Sequence, residues 1–297
     1  MKGKGLGYAP LACEELSLRQ RLQERLEALL EGEQHPGTQT YLERVLTGVQ
    51  SATMGLPHFP EVARELDELL SLDEPNDRDI LRSVEKEPAL VHDVWRISST
   101  APYTSAPRRL EQAITRVGLD RLWQLGVRQA LRSEIFMAPG YDAEVARCRR
   151  AATAGALVAG WLAGQGRGPV YLATLLRDLG ELWLYSRVVG EGPRDRPRRE
   201  MVEHLVTTLH PSFTCLALRV WGMGSSVAVP AGFHHAPARA PSHQGETAFV
   251  GLADMAVRAA LEPELRQEAA TWLRPWLGDA QQVTRVLQRA QAATEAA

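Results

Sequence analysis

Cysteine is scarce: the 297-residue chain holds three, Cys13, Cys148 and Cys215, far apart and odd in number. Neither a disulfide framework nor a cysteine zinc site can be built at that spacing, and a reducing cytoplasm is the expected setting. Long apolar runs are also missing. The longest, Ala151–Ala163, is too short and too rich in Gly and Ala to span a bilayer. Leu11-Ala12-Cys13 has the outline of a lipoprotein cleavage site, but Gly3–Pro10 lacks the apolar stretch of a signal peptide. Charge of one sign is absent too. Lys and Arg number 34 against 36 Asp and Glu, a net charge of −2, so no global field draws the chain to nucleic acid or to an anionic membrane. Phe and Tyr are few, at 5 and 6, while Ala, Leu, Arg and Glu abound. That balance predicts an all-α protein, and no short-period repeat interrupts it.

Hydrophobic spacing fills in the helices. Met1–Pro10 reads as disordered. Leu16, Leu18, Leu22, Leu26, Leu29 and Leu30 stripe a helix over Glu14–Glu31, stopped by Gly32. Glu33–Gly37 reads as a loop and Tyr41–Val49 as a second short helix. This pair is expected to form a helical extension over 1–52, used either to hold a protein partner or to pack on the main domain. The main domain is expected over 53–262, with a helical subdomain at about 53–138 and a second at about 139–262. Two further helices occupy 263–297.

Within the first subdomain, Pro60 suits a first helical turn, and Val62, Leu66, Leu69 and Leu70 continue the stripe. Asp77 or Asp79 is the expected cap of a helix starting near Ile80. Another helix begins at Pro88. Leu110–Val117, Gly118 and Leu119–Leu131 read as helix, turn, helix. A DNA-reading helix over Leu119–Ala130 would present Arg121 and Arg128, but Leu122, Trp123, Leu125 and Val127 dominate it. Base edges and phosphates call for exposed polar and basic side chains, so the segment is expected in a core and no nucleic-acid contact is expected.

The second subdomain carries the chemistry. Leu175–Leu184 has helical spacing, with Arg177 and Asp178 in its middle; the plain alternative to a buried Arg177 is a weak surface pair with Glu181, four residues on. His210 precedes Pro211, which suits the start of an apolar helix, so His210 is expected near its N-cap. Pro230 and Gly232 should break the helix before His234 and His235. Asp254 sits on an apolar helix over Glu246–Leu261 and needs a buried partner, for which His234, His235 and Arg177 are available. Arg147, Arg149 and Arg150 form a basic cluster, open to an anion or simply solvated. Gly190–Arg199, with Arg194, Arg196, Arg198 and Arg199 among prolines, reads as an exposed mobile loop.

Leu56-Pro57-x-x-Pro60-Glu61-Val62, then Glu87-Pro88-Ala89-Leu90, then Leu110-x-x-Ala113-Ile114-x-x-Val117-Gly118-Leu119-x-x-Leu122 follow one another in order. Trp221-Gly222, His234-His235 and Ala253-Asp254 follow later. Over Leu56 to Leu261 this series resembles the HDOD domain family, the mostly non-catalytic branch of the HD-type metal-dependent phosphohydrolases. The resemblance implies an all-helical fold and a regulatory or signalling role, usually bacterial, without a defined enzymatic activity.

An HD-type site uses adjacent His and Asp, an earlier His and a later Asp to hold a divalent metal that activates water. Here Arg177 stands at the position of the motif's His, and the earlier region, Arg147-Cys148-Arg149-Arg150, offers no His. A guanidinium has no lone pair and keeps its charge, so it cannot be a ligand and repels a divalent ion. The expected site is therefore a degenerate pocket of Arg177, Asp178, His210, His234, His235 and Asp254, with no bound metal, no cofactor and no catalytic residue. Arg177 is expected to satisfy Asp178 or Asp254 in place of an ion. The expected partners are proteins of a signalling pathway, with a small anionic or nucleotide ligand as a further option and no membrane. The enzyme alternative, a residual metal-dependent phosphohydrolase, would use Asp178, His210, His234, His235 and Asp254. A DNA-binding regulator is the third class.

Overall fold

The computed structural model describes residues 15–100, 106–132, 136–164, 168–190, 192 and 194–297. The expectations for Met1–Pro10 and for the Cys13 segment lie outside them. Among the described residues every regular element is helical. No described helix is long and apolar enough to cross a membrane. The chain folds as two units, one from the described residues of Pro57–Ser133 and the other from those of Met1–Leu56 and Glu134–Ala297.

In chain order the larger unit opens with α1 (Glu15–Glu31) and α2 (Pro36–Gln50). The smaller unit follows, with α3 (Glu61–Leu70), α4 (Asp77–Glu85), α5 (Pro88–Ser98), α6 (Leu110–Val117) and α7 (Leu119–Arg128). Asn76, not Asp77 or Asp79, caps α4. Its side-chain oxygen accepts from Arg78 N at 2.9 Å, so the helix starts one turn earlier than expected. Gly118 at φ +78° makes the joint between α6 and α7, a conformation that favours glycine. Helix α7 is a core element, with Leu122, Trp123, Leu125 and Val127 all buried and Arg121 bonded to Gln124 at 3.1 Å.

The larger unit resumes with α8 (Asp142–Leu162), α9 (Pro169–Leu176), α10 (Leu179–Tyr185) and α11 (Arg199–Val220). It ends with α12 (Ser225–Gly232), α13 (Gln244–Leu261), α14 (Arg266–Leu277) and α15 (Ala280–Ala296). The small residues of α8 explain its place at the centre. Ala151, Ala154 and Val158 pack with Leu252, Ala256 and Val286 from α13 and α15 in one buried cluster. Each fully buried Val or Leu there contributes about 1.5–3 kcal/mol relative to exposure.

Helix α2 begins at Pro36, five residues before Tyr41. Proline suits the first turn, and the His35 ring nitrogen accepts from Thr38 N, so the expected loop at Glu33–Gly37 is shorter. Both N-terminal helices pack into the larger unit. Trp183 lies against Gly48, where a Cβ would come within 2.5 Å of its ring, and its Nε1 donates to Met54 O at 2.9 Å. The arginine-rich segment after Gly190 is not a free loop. Arg198 pairs with the buried Glu33 at 2.5 Å, Arg198 N donates to Thr38 Oγ1 at 3.0 Å, and Gly37 N donates to Arg194 O at 3.1 Å. Buried carboxylate and open backbone groups at the start of α2 recruit that segment, which composition alone read as solvated.

Candidate functional site

Arg177 and Asp178 do not lie in the middle of a helix. They form the joint between α9 and α10, and a residue from α11 holds it open. Thr214 Oγ1 donates to Arg177 O at 2.8 Å and accepts from Gly180 N at 2.9 Å, replacing rungs of the helical ladder. Gly180 permits this approach, because a Cβ there would meet His210 O at 2.2 Å. The joint turns both Arg177 and Asp178 inward.

Arg177 is fully buried and ties two carboxylates together. Its Nε donates to Asp254 Oδ1 at 2.9 Å, its Nη2 lies 3.1 Å from Asp178 Oδ2, and its Nη1 donates to Thr174 O at 2.8 Å. Gly155 of α8 makes the room, since a Cβ would stand 2.7 Å from Nη1. Burial works against the guanidinium's charge, but Asp178 and then Asp254 outweigh it and hold its pKa above the usual value. Burial also opposes ionisation of Asp254. Arg177 foremost, with His234 and His235 after it, overcomes this and keeps that carboxyl well below its usual range. A metal shared by the motif's pair and Asp254 does not fit these residues, because the guanidinium fills the gap and takes an oxygen from each aspartate.

The three histidines meet on the other face of Asp178. Helix α11 runs unbroken through Pro211, so His210 sits mid-helix rather than at an N-cap. Proline has no N–H for the carbonyl of Thr207, yet neighbouring turns and packing carry the helix through. His210 Nδ1 bonds the carbonyl of Val206 at 2.6 Å, so that nitrogen carries the proton. Helix α12 ends at Gly232 with Pro230 inside its last turn, and His234 and His235 follow that end. His234 Nδ1 donates to Ala231 O at 2.6 Å. His210 Nε2 stands 3.2 Å from His235 Nε2 and 4.0 Å from Asp178 Oδ1, and His234 Nε2 is 3.8 Å from the same oxygen. Burial pushes the His234 ring down to a pKa of about 3 and also lowers that of His235.

A cleft of about 590 Å³ opens onto this cluster. Glu181 borders it, largely buried, its pKa raised by burial first, and 4.0 Å from both His210 Nδ1 and Arg147 Nη2. Five carboxylates and three guanidiniums line the cleft. Of the expected basic cluster only Arg147 borders it, for the helical turn of α8 sends Arg149 and Arg150 elsewhere.

The sequence of residues 56–237 matches the model of the HDOD domain. The chain belongs to the HDOD family. No curated protein matches it. Three solved structures share the fold. One, from Shewanella amazonensis SB2B and provisionally called a metal-dependent phosphohydrolase, has TM-score 0.57 and 15% identity over 94% of this chain and 99% of its own. A second is an HDOD domain protein of unknown function from Geobacter sulfurreducens, with TM-score 0.56 and 16% identity over 84% and 90%. A third, from Marinobacter aquaeolei VT8 and provisionally called a signal transduction protein, has TM-score 0.55 and 17% identity over 95% of this chain and 67% of its own.

All six expected pocket residues of this HDOD protein therefore meet, including Asp254, which lies beyond the matched range. Glu181, weighed in the sequence only as an alternative surface partner for Arg177, instead faces His210. Its position one turn after Asp178 was the signal in the sequence. Thr214 and Gly155 gave no such signal, because a hydroxyl wedge and a missing Cβ are recognisable only against the neighbour they serve.

Proposed function

We propose that this HDOD protein is a non-catalytic regulatory module of a bacterial cytoplasm that works through contacts with protein partners. The observation that carries the reading is Arg177, buried and paired with both Asp178 and Asp254. Two carboxylates that could serve a water-activating metal each give an oxygen to a permanent cation, which occupies the gap such an ion would need. The surplus of acid in the cleft disfavours a nucleotide or other anion as its occupant. The Marinobacter relative's signalling name agrees with this reading, while the Shewanella relative's hydrolase name supports the rival.

Turnover decides between them. The full-length protein, supplied in turn with Mn²⁺, Mg²⁺, Fe²⁺ and Zn²⁺, is expected to hydrolyse neither phosphodiesters nor nucleotides above the level of a heat-denatured control. Hydrolysis that disappears in Asp178→Asn would overturn the proposal. Deleting residues 1–49 to find partners would damage the core around Trp183. Partner capture should therefore compare the intact chain with Leu16→Glu, a change at a side chain 82% exposed on α1.

A further inference from the structure

Helices α3 and α4 of the smaller unit bury one face each and leave a groove open between them. Val62, Leu66 and Leu70 of α3 and Ile80 and Val84 of α4 are buried. Leu69 continues the same stripe in sequence yet is only half-buried, and Leu72, just past the end of α3, is 56% exposed. The two leucines line a groove of about 490 Å³. Apolar surface left open and rimmed by charge is the usual form of a binding groove. Here the rim is acidic. Residues 57–87 hold ten Asp and Glu against four Lys and Arg, a net charge of −6 in a chain whose total is −2, so the remainder carries +4. Within the groove Lys86 Nζ pairs with Glu65 Oε1 at 2.6 Å, and Arg82 Nη1 with Asp79 Oδ1 at 3.4 Å. Those pairs use up the groove's own bases. Glu68, which also lines it, and Asp73 and Glu74 beyond α3 are exposed and make no ion pair among the described residues.

We infer that this groove receives a basic amphipathic helix of a protein partner, whose apolar side chains seat on Leu69 and Leu72 while its Lys and Arg side chains meet Glu68, Asp73 and Glu74. The inference rests on the regulatory reading above and gives the partner its chemistry. Two helices side by side present a groove into which the ridges of a third fit. A helix bound in this way spaces its apolar anchors at i, i+3, i+4 and i+7. Charge decides among the other occupants. The excess of acid over residues 57–87 repels nucleic acid and anionic lipid. A metal ion would need side chains that converge, and the groups among the described residues that do so lie elsewhere, around His210. In the complex the leucines supply most of the affinity, and the unpaired acids supply selectivity and speed of encounter.

The probe is a labelled helical peptide of about four turns, with leucine on one face and lysine on the other, titrated into the full chain. It is expected to bind with Kd on the order of 10 µM. Leu72→Asp sets the two contributions against each other, because it adds negative charge and removes the apolar anchor. It should weaken binding more than about tenfold, whereas attraction by charge alone would strengthen it. Glu68→Lys should weaken it by a similar factor. Glu264→Lys, the same charge change at an exposed site of the larger unit, should cost less than about twofold. Leu72 and Glu68 are both exposed, so circular dichroism of their variants should match the parent. Tighter binding by Leu72→Asp, a loss in Glu264→Lys as large as in Glu68→Lys, or no binding at about 200 µM peptide would overturn the inference. So would a peptide with alanine in place of leucine that binds as tightly as the probe. Self-association of the parent that Leu72→Asp abolishes would overturn it too, by giving the groove to a second copy. Hydrolysis of phosphodiesters would sink the non-catalytic reading and leave peptide binding standing, while a groove that binds nothing would leave that reading to other surfaces, so the two failures are distinguishable.

Discussion

Arg177 Nε lies 2.9 Å from Asp254 Oδ1, joining residues 77 positions apart, with both side chains buried. Removing one member of a buried ion pair leaves the other charged and unsolvated, which typically destabilises by about 3–5 kcal/mol. Arg177→Met should therefore lose about that much by urea unfolding. Arg177→Lys should fail to restore it, because one ammonium cannot span Asp254, Asp178 and Thr174 O at once. The double variant Arg177→Met with Asp254→Asn should recover part of the loss. An Arg177→Met protein as stable as the parent would mean that the aspartates do not depend on the guanidinium.

Thr214 offers a second test. Its hydroxyl serves Arg177 O and Gly180 N, both buried. Thr214→Val keeps the shape and strands two backbone groups, at about 1–3 kcal/mol for each group left without a partner. Thr214→Ser should retain most of the stability. If valine and serine were tolerated equally, water or local rearrangement would be satisfying the joint. Gly180→Ala is the harsher change, since its Cβ would press on backbone at 2.2 Å, and it should abolish soluble expression.

Glu33 carries a pH dependence. Hydrogen bonding from His35 N first, and from Arg198 next, lowers its carboxyl pKa from 4.5. A carboxyl depressed in the folded state contributes stability that is present above the unfolded value and is lost as pH falls through the folded one. Glu33→Gln should therefore be less stable than the parent at pH 7 by about 1–2 kcal/mol, the range for bonds to a charged acceptor. The difference should close as pH drops below 4.5. Arg198 is 54% exposed, so the larger share belongs to the backbone amides and should resist salt. A gap unchanged down to pH 3 would show that the charge plays no part.

Much of this architecture was legible in the sequence, and the failures share a cause. Apolar spacing and stop signals located α1, α3, α5, α6 and α7, because those helices bury one face and end where local chemistry ends them. The same logic gave one helix across Arg177, where the structure has two, and a helix that starts at Pro211, where α11 already runs through it. In both cases tertiary contact overrode local preference. Thr214 opens a ladder that Leu175–Leu184 would otherwise have kept, and packing carries α11 through a proline that would end an isolated helix. The cluster of Arg177, Asp178, His210, His234, His235 and Asp254 was recognisable as a set through resemblance. Its division into a guanidinium-filled half and an imidazole half was not, for that depends on which oxygen of Asp178 faces which side.

Gly155 sets helix propensity against packing. On an isolated helix Ala in place of Gly is favoured by about 0.5–1 kcal/mol, and α8 is long and regular here. In the folded protein the added Cβ would stand 2.7 Å from Arg177 Nη1 and 3.2 Å from Thr174 Cγ2. Arg177 cannot withdraw, because its other nitrogens are committed to the aspartates and Nη1 itself bonds Thr174 O. Overpacking of that kind destabilises by about 1–3 kcal/mol, so the net sign for Gly155→Ala should be unfavourable. Placed in the Arg177→Met background, where the obstructing nitrogen is gone, the same substitution should become less damaging or turn favourable. A mutant cycle by urea unfolding measures that coupling. Additive behaviour of Gly155→Ala and Arg177→Met would mean that the glycine is not there to seat the guanidinium.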